Sequence, residues 1–382
     1  MKKRILVMLI FLTFLSGCWD ANEPDRMFYI NGIGVDFKDG KYEVYAQFIH
    51  FSNVAKSEQP LTQIAQAEVG HARGHTMDEA IFQLYHSADQ RVYWGHFSYL
   101  VVSEEAMRKG KLSSVLDSFI RYKETRYQIW VYTTKDPVQD ILVVNPILNK
   151  AITLSKLGDP ENSYEQESFI EPINIRKLII ALDEPGHEAM IPLISVEENF
   201  RSIEKPIQQT ALSGVGIVTP NSFKGFIESD KARGLQWMNN NTKRGQVTFK
   251  LDGENYLTMV IDKVGVNVEP IVSKGKVEFV IDVDLDATVS TIGENVTNAR
   301  IKSEIEAKVE KEIKSTYKEA LKQDIDIYRL SEQLYRKDVN TWKKHQKDGK
   351  LALSEESIRN LNINVKKLKS DRKSYQKTIE KL

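Results

Sequence analysis

Val277-Glu278-Phe279-Val280-Ile281-Asp282-Val283-Asp284-Leu285-Asp286-Ala287-Thr288-Val289-Ser290 is the stretch on which the fold turns. Val277, Phe279, Ile281, Val283, Leu285, Ala287 and Val289 fall on one side of an extended chain. Glu278, Asp282, Asp284, Asp286 and Ser290 fall on the other. A strand with one buried and one wet face is the habit of antiparallel sheets. Upstream, Ser273-Lys274-Gly275 reads as a turn, Tyr256 to Val268 as a strand and Arg244 to Leu251 as another. The apolar phase of the middle strand shifts near Asp262-Lys263, which predicts a bulge. Residues 244–290 thus read as an antiparallel meander. Downstream, Asn298 to Lys322 carries Ile301, Ile305, Val309, Ile313, Tyr317 and Leu321 at helical spacing. Glu304–Lys308 and Glu310–Lys314 are i,i+4 pairs that support that helix. A second helix is expected from about Ile325 to Lys347. Leu361 to Val365 reads as a short strand, and Lys366 to Leu382 as a charged helix.

The first half has a different texture. Met27 to Phe37 reads as a strand, Lys38-Asp39-Gly40-Lys41 as a hairpin turn, and Tyr42 to Phe51 as the returning strand. Residues 52–75 are polar and irregular. Thr76-Met77-Asp78-Glu79 forms a capping box that opens a helix to about Ala88. Phe97–Val102 and Tyr127–Thr133 read as strands, with a helix at Leu112–Tyr122 between them. Such alternation predicts a mixed sheet. Ser168–Leu182 is expected to be helical, Ala189–Glu197 a strand, and Glu204-Lys205-Pro206 a linker. Beyond it lie a strand at Thr210–Val218 and a short helix at Ser229–Asn239. The fold class is therefore α+β and multi-domain, with mixed and antiparallel sheets, packed helices and long C-terminal helices. The expected organisation is a leader over 1–17, a lipidated tether over 18–26, an N-terminal α+β region of two subdomains over 27–206 and a C-terminal α+β domain with antiparallel sheet and long helices over 207–382.

The leader fixes the compartment. Met1-Lys2-Lys3-Arg4 is basic, Ile5 to Ser16 is almost wholly apolar, and Gly17-Cys18 ends the run. This is the pattern of a secretory signal with a small-residue cleavage site. A span needs about 20 apolar residues and this run offers about a dozen. Cys18 is the sole cysteine, which excludes an internal disulfide and any Cys-based zinc site. The chain has 53 basic and 53 acidic residues; loss of Lys2, Lys3 and Arg4 with the leader leaves 50 against 53. That balance argues against nucleic acid, which favours a basic stripe.

No catalytic constellation is found. Gly214-Val215-Gly216 lacks the third glycine and following helix of a phosphate loop, and reads as strand glycines. His71 and His75 are four apart but sit among glycines without a third ligand. Asp282, Asp284 and Asp286 mimic the start of a calcium loop, yet position six would be Ala287 and position twelve Gly293. No metal or other cofactor is expected, and the protein is not expected to be an enzyme. His96, after Trp94-Gly95, reads as a hydrogen-bonded core residue or a partner contact. The segment Ser229–Asn239 with Trp237 is a second candidate contact surface, core packing being its alternative.

Several stretches together resemble one family. Leu15-Ser16-Gly17-Cys18 resembles a lipobox and runs into Trp19-Asp20, with Glu23 close behind. Ile30-Asn31-Gly32-Ile33-Gly34-Val35-Asp36 is similar to the family's opening strand. Trp94-Gly95-His96 precedes Tyr99-Leu100-Val101-Val102-Ser103-Glu104-Glu105. Ala211–Val218 is followed by Lys224-Gly225 and Ala232-Arg233-Gly234-Leu235-Gln236-Trp237. Tyr328–Trp342 includes Leu334-Tyr335-Arg336-Lys337 and leads to Lys343-Lys344. In order and spacing these resemble the Ger(x)C proteins, the C subunits of nutrient germinant receptors of endospore-forming bacteria. The end departs from the family, which usually closes on a long strand and a basic-Thr-Gly terminus. The resemblance implies that Cys18 is acylated and becomes the mature N-terminus. It implies a three-domain α+β lipoprotein without enzymatic activity, on the outer face of the spore inner membrane. It also implies assembly with two integral-membrane receptor subunits that carry nutrient sensing, so direct small-molecule binding is not expected here. The alternative is a lipid-anchored solute-binding protein of an importer, which requires two similar parallel α/β lobes.

Overall fold

A computed structural model describes residues 26–49, 67–121, 125–203, 205–250, 256–273, 275–289 and 297–369. Cys18, the leader and the tether as far as residue 25 lie outside them, as does the expected terminal charged helix beyond residue 369.

The first sheet has nine strands: β1 (Met27–Lys38), β2 (Lys41–Ile49), β3 (Glu68–Gly74), β4 (Arg91–Tyr93), β5 (Tyr99–Ser103), β6 (Trp130–Thr134), β7 (Ala189–Arg201), β8 (Pro206–Val218) and β9 (Phe223–Glu228). Their order is β3-β2-β1-β5-β6-β7-β8-β9, with β4 beside the start of β1. The strands β1, β5, β6 and β7 run parallel, while both flanks are antiparallel hairpins. The expected mixed sheet is therefore present. Asp39 and Gly40 both take positive φ at the β1–β2 turn, as an Asp-Gly hairpin requires.

One face packs on α1 (Met77–Ser87), α3 (Leu112–Arg121) and α6 (Ile175–Asp183), through Ile33, Val35, Val44, Leu100, Val102 and Val131. The short helix α2 (Glu104–Arg108) follows β5, its amide at Ala106 donating to Ser103 Oγ. The other face is covered by α4 (Val138–Val143), whose Val138, Ile141 and Leu142 meet Tyr99, Val101 and Tyr132. Gly34 permits this approach: a Cβ there would lie 2.0 Å from Val138 Cγ1. Asn31 Nδ2 and Tyr99 OH both donate to Gln47 Oε1, at 2.7 Å each, and Gln47 Nε2 donates to Leu142 O at 2.6 Å. The opening-strand motif is thus a packing joint.

The second sheet is β10 (Gly245–Lys250), β11 (Tyr256–Ser273), β12 (Lys276–Val289) and, after a two-residue ribbon of β13 (Gln346–Lys347) and β14 (Lys350–Leu351), β15 (Ile358–Lys369). The meander 244–290 is antiparallel and its register shifts between Ile261 and Lys263, so the expected bulge is present. Helix α8 (Asn298–Leu321) lays Ile301, Ile305, Val309, Ile313 and Tyr317 into the same core as Phe279, Ile281, Val283 and Leu285. The two sheets are unlike in size and topology, which removes the two-lobe arrangement required by the importer alternative.

Several expectations are corrected. Glu68–Gly74 is a strand where an irregular segment was expected, because its backbone completes the edge of β2. Helix forms only from Ile175, since Ile173 and Asn174 are held extended against Val131 and Trp130. The expected helix Ser229–Asn239 is a 3-10 turn at Ser229–Ala232 followed by α7 (Gly234–Trp237). The expected helix 325–347 is divided at Asp338 into α9 (Leu330–Lys337) and α10 (Val339–His345), because Asp338 turns out of helix and caps the second piece. Lys308 pairs with Glu312 at 3.5 Å, while Lys314 pairs with Glu310 as expected. Lys366–Lys369 continue β15, which runs parallel to β12. At the expected linker, Ser202 N donates to Lys205 O and β8 returns along β7. The expected division at 206 therefore falls within a hairpin, and the first sheet continues across it.

Candidate functional site: a charged seam and the sheet end where β1 begins

Two features join distant parts of the chain. The first is a seam of charge between residues 184–188, just before β7, and residues 324–351. Asp326 is fully buried, and its carboxylate accepts from Leu330 N at 2.8 Å and Ser331 N at 2.7 Å, closing the start of α9. Its own amide donates to Glu188 Oε2 at 2.7 Å. Arg329, at φ 54°, donates through Nη1 to Glu188 O at 2.9 Å and pairs with Glu332. Arg336 bridges Glu184 at 2.7 Å and Glu332 at 2.6 Å. Lys350 reaches Asp324 at 2.8 Å and Glu188 at 3.4 Å.

Burial raises the carboxyls of Glu188, Asp326 and Glu332 above their ordinary values, and Glu184 adds to the rise at Glu332. Hydrogen bonds from Glu332 and Arg336 hold Glu184 below its ordinary value. At Lys350 burial opposes the charge, but its bonds to Asp324 and its attraction to Glu188 prevail and raise it. Perturbed groups often mark chemistry. Here each raised carboxylate is occupied by backbone amides or a cation, and the neighbouring Ser331 hydroxyl is itself engaged, accepting from Leu351 N at 3.0 Å. The arrangement is a clasp. Among the described residues no three His, Cys, Asp or Glu side chains come together as metal ligands.

The second feature is the end of the first sheet where β1 begins. His96 lies there, its ring edge-on to Tyr29 at 5.2 Å and to Tyr93 at 6.3 Å. Burial, then the charge of Arg126, lowers its pKa and favours the neutral ring. His96 thus stands beside the start of β1. Trp237, by contrast, is wholly buried and donates from Nε1 to Glu312 Oε2 at 2.7 Å. It is a core residue and no contact surface. Its neighbour Gly234 sits where a Cβ would lie 2.6 Å from Thr316 Oγ1 and 2.7 Å from Tyr328 OH.

His71 lies on β3, stacked on Tyr45 at 4.5 Å and 3.6 Å from Glu43, and His75 donates its amide to Glu79 Oε2. The two do not converge as a ligand pair. Asp282, Asp284 and Asp286 form the wet face of β12, answered from β15 by Asn362, Asn364 and Lys367. Sequence reasoning missed the seam altogether: Glu188 and Asp326 are 138 residues apart, and no local spacing signals such a pair.

Comparison with known proteins agrees with this architecture. The family described as "Spore germination protein N-terminal domain" matches residues 20–196, and "Spore germination B3/ GerAC like, C-terminal" matches residues 213–367. Spore germination protein KC of Bacillus subtilis (strain 168) is 23% identical over 367 residues, covering 89% of this chain and 88% of that protein. Spore germination protein B3 of the same organism is 24% identical over 285 residues, 72% of this chain and 71% of that one. The crystal structure of the GerBC protein superposes with a TM-score of 0.52 at 18% identity, over 89% of this chain and 97% of that one. With both parts matched in order over most of its length, this chain belongs to the Ger(x)C family of spore germination proteins.

Proposed function

We propose that the chain is the lipid-anchored, non-enzymatic subunit of a nutrient germinant receptor. Cys18 carries the acyl anchor on the outer face of the spore inner membrane, and the folded body assembles with integral-membrane receptor subunits. The observation that carries this reading is the match of both family parts, in order, across residues 20–196 and 213–367. The lipobox ending at Cys18 supports the anchor, since two acyl chains hold a protein stably where one is marginal. The clasp between 184–188 and 324–351 supports a body that acts as one unit on its partners.

The test is germination of spores from a gene deletion and from a Cys18→Ala strain. Each is challenged with nutrients and, separately, with a trigger that bypasses nutrient receptors. Loss of the nutrient response alone in both strains is expected. A normal nutrient response in a strain stripped of all other receptors would overturn the proposal.

A further inference from the structure

We infer that the segment Val144–Leu157 is a membrane-contacting element, with Leu148 and Leu154 entering the interface of the bilayer that holds the anchor. The inference rests on the proposed lipidation of Cys18. Eight residues lie between Cys18 and Met27, the first residue of β1, so the nine steps from one to the other place this strand end within about 30 Å of the membrane at full extension. Ile152 packs against Tyr29 and Ile49 at that same end, with Met27 beside them. The segment is thus pinned where the tether arrives. Leu148 and Leu154 lie four and two residues from Ile152.

Both are exposed, Leu148 at 88% and Leu154 at 61%. Leu148 also holds the left-handed conformation, φ 57° and ψ 28°, which a branched aliphatic residue rarely adopts. Within the body no buried contact repays this, and an outlier of this kind points to a role outside the fold. Lys150 is exposed between the two leucines and Lys156 follows them. Apolar tips with flanking lysines match the layering of a bilayer surface, where acyl chains lie beneath anionic headgroups. The occupant is lipid: the short tether brings the membrane within reach whether or not a protein partner is present.

The full chain, lipidated in a bacterial host, is reconstituted into vesicles of phosphatidylethanolamine and phosphatidylglycerol. Acylated Cys18 offers no free thiol, so Leu148→Cys, Leu154→Cys and Asp39→Cys each carry a single environment-sensitive fluorophore. Asp39 is the control, at the far end of β1 from Met27, roughly 35–40 Å away by strand rise. With brominated lipids in the vesicles, emission is expected to fall at positions 148 and 154 and to hold at 39. Equal quenching at 148, 154 and 39 would overturn the inference. So would quenching absent in lipid but crosslinking of position 148 to a membrane subunit, which would make the occupant a protein. Mass spectrometry of the N-terminal peptide separates the premise. A lipidated chain without quenching fails this inference alone, whereas a chain without lipid at Cys18 fails both. Leu148→Asp with Leu154→Asp should abolish the quenching contrast, read from a label at Lys150→Cys, while leaving the melting transition unchanged.

Discussion

The two sheets of this protein are built from the same residue types and solve burial differently. In the first, β5 is buried throughout: Leu100 and Val102 meet the helices of one face, and Tyr99 and Val101 meet α4 on the other. In the second, β12 buries Phe279, Ile281, Val283 and Leu285 and leaves Asp282, Asp284 and Asp286 to solvent and to β15. A parallel strand connected through crossovers is covered twice, so its sequence is a continuous apolar run. A meander covered once writes its fold as alternation. The lesson is that periodicity reports the number of covered faces, and a strand without alternation is no weaker a strand.

Substitution along each strand breaks or upholds this contrast most directly. On β5, Leu100→Ala should cost about 2–5 kcal/mol and adjacent Val101→Ala about 2 kcal/mol. On β12, Ile281→Ala should again cost about 2–5 kcal/mol, but adjacent Asp282→Ala at most about 0.5 kcal/mol. Urea unfolding of the four variants decides it. A neutral Val101→Ala would mean that α4 does not seal the second face.

The core of the second half can be probed more finely. Trp237→Phe keeps most of the buried ring but removes the donor to Glu312. It should cost about 1–3 kcal/mol, because the carboxylate is left under-satisfied in the interior. Trp237→Phe with Glu312→Leu should recover part of that loss in the same unfolding measurement.

At the seam the effect is one of pH. The folded value of Glu188 lies above its unfolded value, so the native state holds the proton more tightly. The charged carboxylate then weakens the fold as pH rises from about 4.3, the unperturbed glutamate value, through the folded one. Glu188→Gln should show a smaller fall in Tm across that interval, followed by calorimetry at closely spaced pH. An identical slope would place the raised carboxyl elsewhere in the seam.

The smallest effect belongs to the wet face. Lys367→Ala removes the pair with Asp286 and should cost less than about 1 kcal/mol, diminishing in salt. A loss above that value would mark the edge between β12 and β15 as more protected than its exposure indicates.

Legibility followed the same contrast. The alternation of β12, the stripe of α8, the bulge at Asp262 and the hairpin at Asp39-Gly40 were all open to sequence reading, because each rests on neighbours within a turn or a pleat. The short strands β3 and β4 were not, since each is an edge that earns its conformation from the strand beside it. Helix 325–347 misled because apolar spacing continues through Asp338, while the cap at that residue depends on its own backbone leaving the helix. His96 was placed as a candidate by its motif, and the tertiary fold put it beside Tyr29 and Tyr93 near the start of β1; Trp237, chosen by the same means, was buried.

The sequence by itself determined the α+β class, the antiparallel meander and the family. These are carried by local order: dihedral preference, side-chain period and motif spacing act over a few residues. Only the tertiary structure decided that the first sheet runs on through residue 206, that β15 joins β12 in parallel, and that Glu188 meets Asp326 and Lys350. Those outcomes depend on which distant segments share a buried surface, where desolvation, and not chain proximity, sets the energy of a charge.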